Sequence, residues 1–284
     1  MLDGFSHGSH RLVPEPSAPL PVAEMMIGQS VEDAAALLPR LFNLCRTAQA
    51  TAARLAFGLP LPDRSGADLT REVLRDHLIK FYLKWPGLFG RAPMPLPPEW
   101  ADGSRALRRD LFGPAERMPS TPGAFASFLA AGSGVAGVLE LIDQCFAPGE
   151  AVTAGLPLPV TINMLTARAI ENSVAARHAA HPVMRAIADE KGCGPFWRAA
   201  ARAYDLEACL DQALPQPLTL AEGTAIVPST RGAYSMTALV SDGVVAEFAR
   251  VTPTDHLLAP GGILQQTLAT LPGEKSGLAP LILE

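Results

Sequence analysis

Charge is scarce in this chain. Only 18% of its 284 residues are Asp, Glu, Lys or Arg, while 48% are hydrophobic. That balance excludes a disordered polymer and describes a compact protein able to bury a large core. Clustered positive charge is also missing, since the formal net charge is −5 and no basic run exceeds two residues. Nucleic-acid binding needs a concentrated cationic face and is therefore not expected. No run of about 20 apolar residues occurs, so no membrane span is expected. The polar residues 1–14 lack an apolar signal core, and the expected compartment is the cytoplasm. Cysteine is sparse: Cys45, Cys145, Cys193 and Cys209 form no Cys-x-x-Cys pair. Zinc-finger spacing and a disulfide framework are both absent, so each cysteine is weighed as a single thiol.

Proline is abundant, at 27 residues. The expected architecture is mainly α, with many short helices joined by stiff connections and a small C-terminal β-element (α+β). Residues 1–29 carry four prolines and little periodicity, which predicts an extended lead-in before a single domain over 30–284. Ser30 and Asp33 form a capping-box pattern opening a helix through Leu38. Leu41 to Phe57 reads as one helix, and Asp68 or Thr70 would cap the next, ending at Trp85-Pro86. Shorter helices are predicted at 103–112, 122–131 and 135–146, a long one over 162–177, and another over 195–214. Strands are predicted at 225–229, 233–241 and 244–251, with Asp242-Gly243 as a two-residue hairpin turn. One short helix after Pro260-Gly261-Gly262 closes the chain.

Several patterns suggest chemistry and have a plainer account. Gly132-Ser133-Gly134-Val135-Ala136-Gly137 fits the dinucleotide pattern, but it follows an apparent helix rather than a strand, which favours a helix–helix turn. His7 and His10 lie in the lead-in. His178 and His181 have helical spacing without an evident acidic or Cys partner, and read as a solvated helix end. On periodicity alone, Cys45 shares a helix face with Leu41, Phe42, Ala48 and Ala52, as a buried structural thiol would.

The residues around Cys45 change that reading. Arg40-Leu41-Phe42-Asn43-Leu44-Cys45-Arg46-Thr47-Ala48-Gln49 resembles the Arg-Ile-Cys-Gly-x-Cys-x-x-x-His ligand motif of nickel–iron hydrogenase large subunits. Phe42 stands at its first Cys, Cys45 at its second and Gln49 at its His. Thr230-Arg231-Gly232-Ala233 is similar to the family's Pro-Arg-Gly-Ala. Val251-Thr252-Pro253-Thr254-Asp255 resembles its Val-x-Pro-Thr-x-Trp-Asn. Order and separation agree with that family over roughly residues 26–284. Within it, the chain most resembles the HupK-type (HoxV-like) hydrogenase expression/formation proteins, which are reduced relatives of the large subunit.

The resemblance implies a site. The family holds nickel and iron between four thiolates, and the iron carries cyanide and carbonyl ligands. Soft thiolates suit such metals. Phe42 replaces a nickel-only ligand, and no Cys-x-x-Cys supplies the second pair, so Cys45 is the metal ligand expected and nickel is not. By resemblance, Arg231 and Thr254 would bind the two cyanides, and Pro253 and Tyr234 would wall the carbonyl. The implied role is not catalysis of hydrogen turnover. It is an accessory scaffold that transiently holds the iron–cyanide–carbonyl fragment. Its partners would be the maturation proteins that build and carry that fragment, and the hydrogenase large subunit. A metal-free interaction chaperone is the alternative. An active hydrogenase would need the missing ligands, and a quinone-site relative from respiratory complexes would be longer.

Overall fold

The computed structural model describes Leu12, residues 20–42 and residues 44–283. The histidines His7 and His10 lie outside them. Within the segment expected to be extended, Val22–Met26 instead forms a helical turn, α1, which buries Val22 and Met26. Helix α2 (Val31–Leu37) begins as expected: Ser30 accepts the backbone N–H of Asp33. A 3₁₀ turn at Leu38–Arg40 follows, with Pro39 inside it.

The chain then departs from the single helix expected over 41–57. Helix α3 starts only at Arg46 and runs to Ala56, with Cys45 outside it as N-cap in the left-handed region at φ 54°. Helix α4 (Ser65–Ile79) begins earlier than either expected cap and widens into a π-helical turn at Lys80–Lys84 before α5 (Trp85–Leu88). Helices α6 (Arg105–Phe112), α7 (Pro122–Ala131) and α8 (Val135–Cys145) fall where periodicity placed them.

The long helix expected over 162–177 is not there. A 3₁₀ turn at Thr161–Leu165 leads into irregular chain, then α9 (Val174–His178) and α10 (Pro182–Lys191). Two tertiary demands override the helical pattern. Glu171 is buried in a pair with Arg198 at 2.6 Å. The Asn172 side chain bonds both the N–H and the C=O of Ala233, each at 2.8 Å. Neither residue meets its partner from a continuous helix. Helix α11 (Pro195–Leu210) is buried on nearly every side and forms the axis of the body.

A four-stranded antiparallel sheet follows in the order β1 (Leu218–Ala221), β2 (Thr224–Ser229), β3 (Gly232–Ser241), β4 (Val244–Val251). Strand β1 was not anticipated: it is short and mostly exposed, without the alternation that marks a strand. Asp242 and Gly243 both adopt positive φ in the tight β3–β4 turn, as a type I′ turn requires. The chain closes with α12 (Pro253–Leu258), α13 (Ile263–Ala269), a 3₁₀ turn and α14 (Pro280–Leu283), more than the one helix expected.

Two apolar clusters support this arrangement. The larger gathers α4 through α11 with α13 and α14. The smaller packs α1, α2 and α3 against the inner face of the sheet. Ala48, Ala52, Ala53 and Ala56 make the buried face of α3 nearly flat, so the helix lies close on β2 and β3. That contact brings the start of α3 to the β2–β3 turn.

Candidate functional site

The site is built where the N-terminus of α3 meets the two-residue turn Thr230-Arg231. Ser229 pairs with Gly232 across that turn. Gly232 has φ 153°, and a Cβ there would lie 2.4 Å from the Asn172 carbonyl oxygen, so no larger residue fits. Arg177 clamps the turn from beneath, donating to the carbonyls of Ser229 and Gly232. Its other terminal nitrogen donates to Asp205 at 2.7 Å. Asp205 is fully buried and also meets His77 at 2.8 Å and His178 at 3.0 Å. His178 is therefore not part of a solvated helix end, and His181 packs its ring on Tyr204 with centroids 4.4 Å apart. The Asp205 carboxylate is held well below its ordinary range. Burial opposes ionisation, but Arg177 and the two histidines outweigh it.

Cys45 faces this turn. Its Sγ lies 3.1 Å from the Thr230 hydroxyl, across 185 positions of sequence. Burial pushes the thiol's pKa up; hydrogen bonding to Thr230 works the other way, and the charges of Glu72 and Asp76 add to the rise. Glu72 also caps α3, accepting the N–H groups of Thr47 at 2.7 Å and Ala48 at 3.1 Å. Because Cys45 provides no side-chain cap, this carboxylate from α4 satisfies two of the orphaned donors of α3. A left-handed Cys costs roughly 1–2 kcal/mol, and the Glu72 cap and Thr230 contact hold it there.

Phe42 lies under the Arg250 guanidinium, 4.4 Å from ring centroid to cation. Tyr234 is buried, and burial raises its phenol pKa to about 12 although Arg250 lowers it in part. It lies within electrostatic reach of both Arg250 and Cys45. Gln49 donates to the Leu44 carbonyl at 2.9 Å, leaving its own buried Oε1 without a partner.

The remaining expected residues are placed next door rather than in the same space. Arg231, Pro253 and Thr254 line a cavity of about 40 Å³, with Arg198, Arg202 and the C-terminal Leu281–Leu283. Cys45 and Thr230 instead line a groove of about 940 Å³ between α3 and α4. The structure thus joins Cys45 to Thr230, and Arg231 to Thr254, as two adjoining halves. The turn residues Thr230 and Arg231 are the seam. Cys145, Cys193 and Cys209 belong to the other apolar cluster and line neither the groove nor the Arg231 cavity, although Cys209 lies within electrostatic reach of the Arg177–Asp205 clamp. No group of three or more His, Cys, Asp or Glu side chains suited to a metal ion occurs among the described residues.

Gly132 and Gly134 form a turn between α7 and α8, which meet at 101°. A Cβ on Gly134 would lie 2.3 Å from the Asp110 carbonyl oxygen, so the glycine serves a close chain approach rather than a nucleotide. Among the described residues no single helix is long and apolar enough to cross a membrane, though the bent α7–α8 pair satisfies length and composition together.

Thr230, Glu72, Arg177, Asp205 and Arg250 were not singled out by the sequence. Thr230 alone carried a signal, as the neighbour of Arg231 in its motif.

This architecture is that of the large subunit of nickel–iron hydrogenases. It is similar to the nickel–iron–selenium hydrogenase of Desulfovibrio vulgaris Hildenborough in its reduced state, with TM-score 0.58 and 15% identity over 94% of this chain and 90% of that one. The as-isolated oxidised form of that enzyme gives TM-score 0.54 and 16% identity with the same coverage. At such identity the likeness establishes the fold alone. The sequence is more specific: it is 47% identical over 269 residues to the hydrogenase expression/formation protein HupK of Rhodobacter capsulatus, covering 95% of this chain and 87% of that protein. The chain therefore belongs to the HupK family of hydrogenase expression/formation proteins, reduced relatives of the large subunit. No family model matches it.

Proposed function

We infer that this chain acts in hydrogenase assembly as a non-catalytic scaffold. It takes the iron–cyanide–carbonyl fragment as transient cargo before delivery to the large subunit. The observation that carries this reading is the 3.1 Å contact between Cys45 and Thr230, which joins two of the three separate segments that resemble the family's. One thiol, on a strained backbone, meets the turn that presents Arg231.

The donor set suits one iron-bound thiolate and not a bimetallic centre. Cys45 would supply the soft ligand, and a metal would displace its proton against the raised pKa. Affinity should therefore rise with pH. Nickel lacks the thiolates it would need: Phe42 offers only a phenyl ring, engaged by Arg250. Arg231 and Thr254, in the adjoining cavity, would donate hydrogen bonds to cyanide nitrogens. The absent protein ligands would come from the partner that brings the fragment.

A metal-free chaperone for maturation factors is the second reading. The raised pKa of Cys45 and its hydrogen bond to Thr230 favour it, because a protonated, satisfied thiol has no need of metal. Infrared spectra of protein purified anaerobically after co-production with the maturation machinery separate the two. Cyanide and carbonyl bands without stoichiometric nickel support the scaffold. Their absence from protein that still supports maturation supports the chaperone.

A further inference from the structure

The groove that ends at Cys45 has an unusual electrostatic character for this chain. The protein carries a net charge of −5, yet Arg46, Arg54, Arg71, Arg75 and Lys84 all line this groove. Arg46 and Arg54 stand two turns apart on α3, and Arg71 and Arg75 one turn apart on α4, so two cationic rows border the opening. Three carboxylates also line it: Asp68, Glu72 and Asp76. Two of these are already engaged. Glu72 caps α3, and Asp76 meets the buried Lys80 at 3.0 Å. The five cations still outnumber the three carboxylates, of which only Asp68 is exposed, and Arg46, Arg71, Arg75 and Lys84 are exposed at the rim. Trp100 gives one end an aromatic wall under Arg71, whose guanidinium lies 5.4 Å from the ring centroid.

The dimensions select among anions. From Ser65 to Ile79, both of which line the groove, α4 rises about 21 Å. An extended peptide of about six residues spans that length. The volume of about 940 Å³ far exceeds a small inorganic anion. A walled groove between two helices suits a single peptide strand better than a nucleic-acid duplex about 20 Å across, whose phosphates need a broad cationic face.

We propose that the α3–α4 groove docks an acidic segment of a partner protein, and that this contact brings the partner to Cys45. The second clause rests on the cargo reading; the docking itself does not. Opposite charge across such a surface accelerates encounter and selects the partner.

The test uses the full chain and a fluorescein-labelled hexaglutamate peptide, followed by anisotropy. Arg71 and Arg75 are exposed and helical, and Glu has a similar helix propensity to Arg, so R71E/R75E should fold. R91E/R117E makes the same charge change at exposed positions that do not line the groove. The expected result is at least tenfold weaker peptide binding by R71E/R75E, within twofold of unchanged binding by R91E/R117E, and weakening with added salt. No binding by the unaltered chain, or equal loss in the two variants, would overturn the proposal. So would tighter binding of a labelled hexathymidylate than of the peptide. Cys45→Ser is measured alongside. Retained iron with intact, groove-dependent peptide binding sinks the cargo reading and leaves the groove standing. Iron lost from Cys45→Ser, with peptide binding indifferent to R71E/R75E, does the reverse.

Discussion

Replacing Asp205 by Asn removes a charge while preserving shape. Asp205 is completely buried and receives Arg177 at 2.7 Å, His77 at 2.8 Å and His178 at 3.0 Å. Without the carboxylate, the Arg177 side chain, only 10% exposed, keeps neutral acceptors alone. Breaking one side of a buried ion pair costs about 3–5 kcal/mol. The Asn amide oxygen still accepts a hydrogen bond, so a loss of about 3 kcal/mol is expected. At roughly 2.1 cal/mol/K per residue, a chain of this size unfolds with an entropy near 0.6 kcal/mol/K, which converts that loss to a Tm lower by about 5 °C. The pH dependence adds a second signature. The folded pKa of Asp205 is depressed, so its stabilisation is complete above the unfolded carboxylate pKa of about 3.9 and is lost as pH falls below it. Burial depresses the His77 pKa below its ordinary value, so its contribution is present above about 6.5 and declines as pH falls. Scanning calorimetry from pH 3 to 8 should show the gap between the unaltered protein and Asp205→Asn at full size from neutrality down to about pH 4, and narrowing below it. A Tm within 1 °C of the unaltered protein at pH 7, or a gap that stays constant to pH 3, would refute the account of this network.

Three further outcomes follow from the same structure. Glu72→Ala removes both acceptors at the start of α3 and should cost about 1–2 kcal/mol in urea denaturation, with Glu72→Gln losing less because one oxygen remains. Gly134→Ala places a Cβ against the Asp110 and Leu111 carbonyls at positive φ and should destabilise by about 2–4 kcal/mol, read as a lower midpoint at unchanged slope. Metal analysis after growth with nickel and iron should find nickel far below one per chain. Stoichiometric nickel beside iron would contradict the role given to Phe42.

Local signals carried much of the fold. The Ser30–Asp33 box, the Asp242-Gly243 turn and the helices around 105–145 are set by neighbours in sequence, and all lie where local chemistry puts them. The misplaced elements are those governed by distant partners. Nothing between Leu41 and Cys45 is a helix breaker. The break there is fixed by Glu72 and Thr230, which only the folded chain brings together. Residues 166–173 have helical propensity, but Glu171 and Asn172 are committed to Arg198 and to β3. The site shows the same division. Motif resemblance reached Cys45, Arg231 and Thr254, yet gave no hint that Thr230 stands between two cavities. The Arg177–Asp205 clamp draws on α9, α11 and the sheet, and no spacing in one segment reveals it.

In the proposed role Cys45 holds cargo and is more than a packed thiol. Iron content per chain, measured on anaerobically purified protein co-produced with the maturation machinery, tests it most directly when Cys45→Ser is compared with Cys209→Ser. Cys45 is part-buried and Cys209 buried, and a hydroxyl at either costs at most about 1–2 kcal/mol, so both proteins should remain folded by circular dichroism. Cys209 sits in the larger apolar cluster, within reach of Asp205 and Arg177, and lines neither cavity at the seam. The account predicts iron lost from folded Cys45→Ser and retained in Cys209→Ser. Equal iron in the two variants would contradict it.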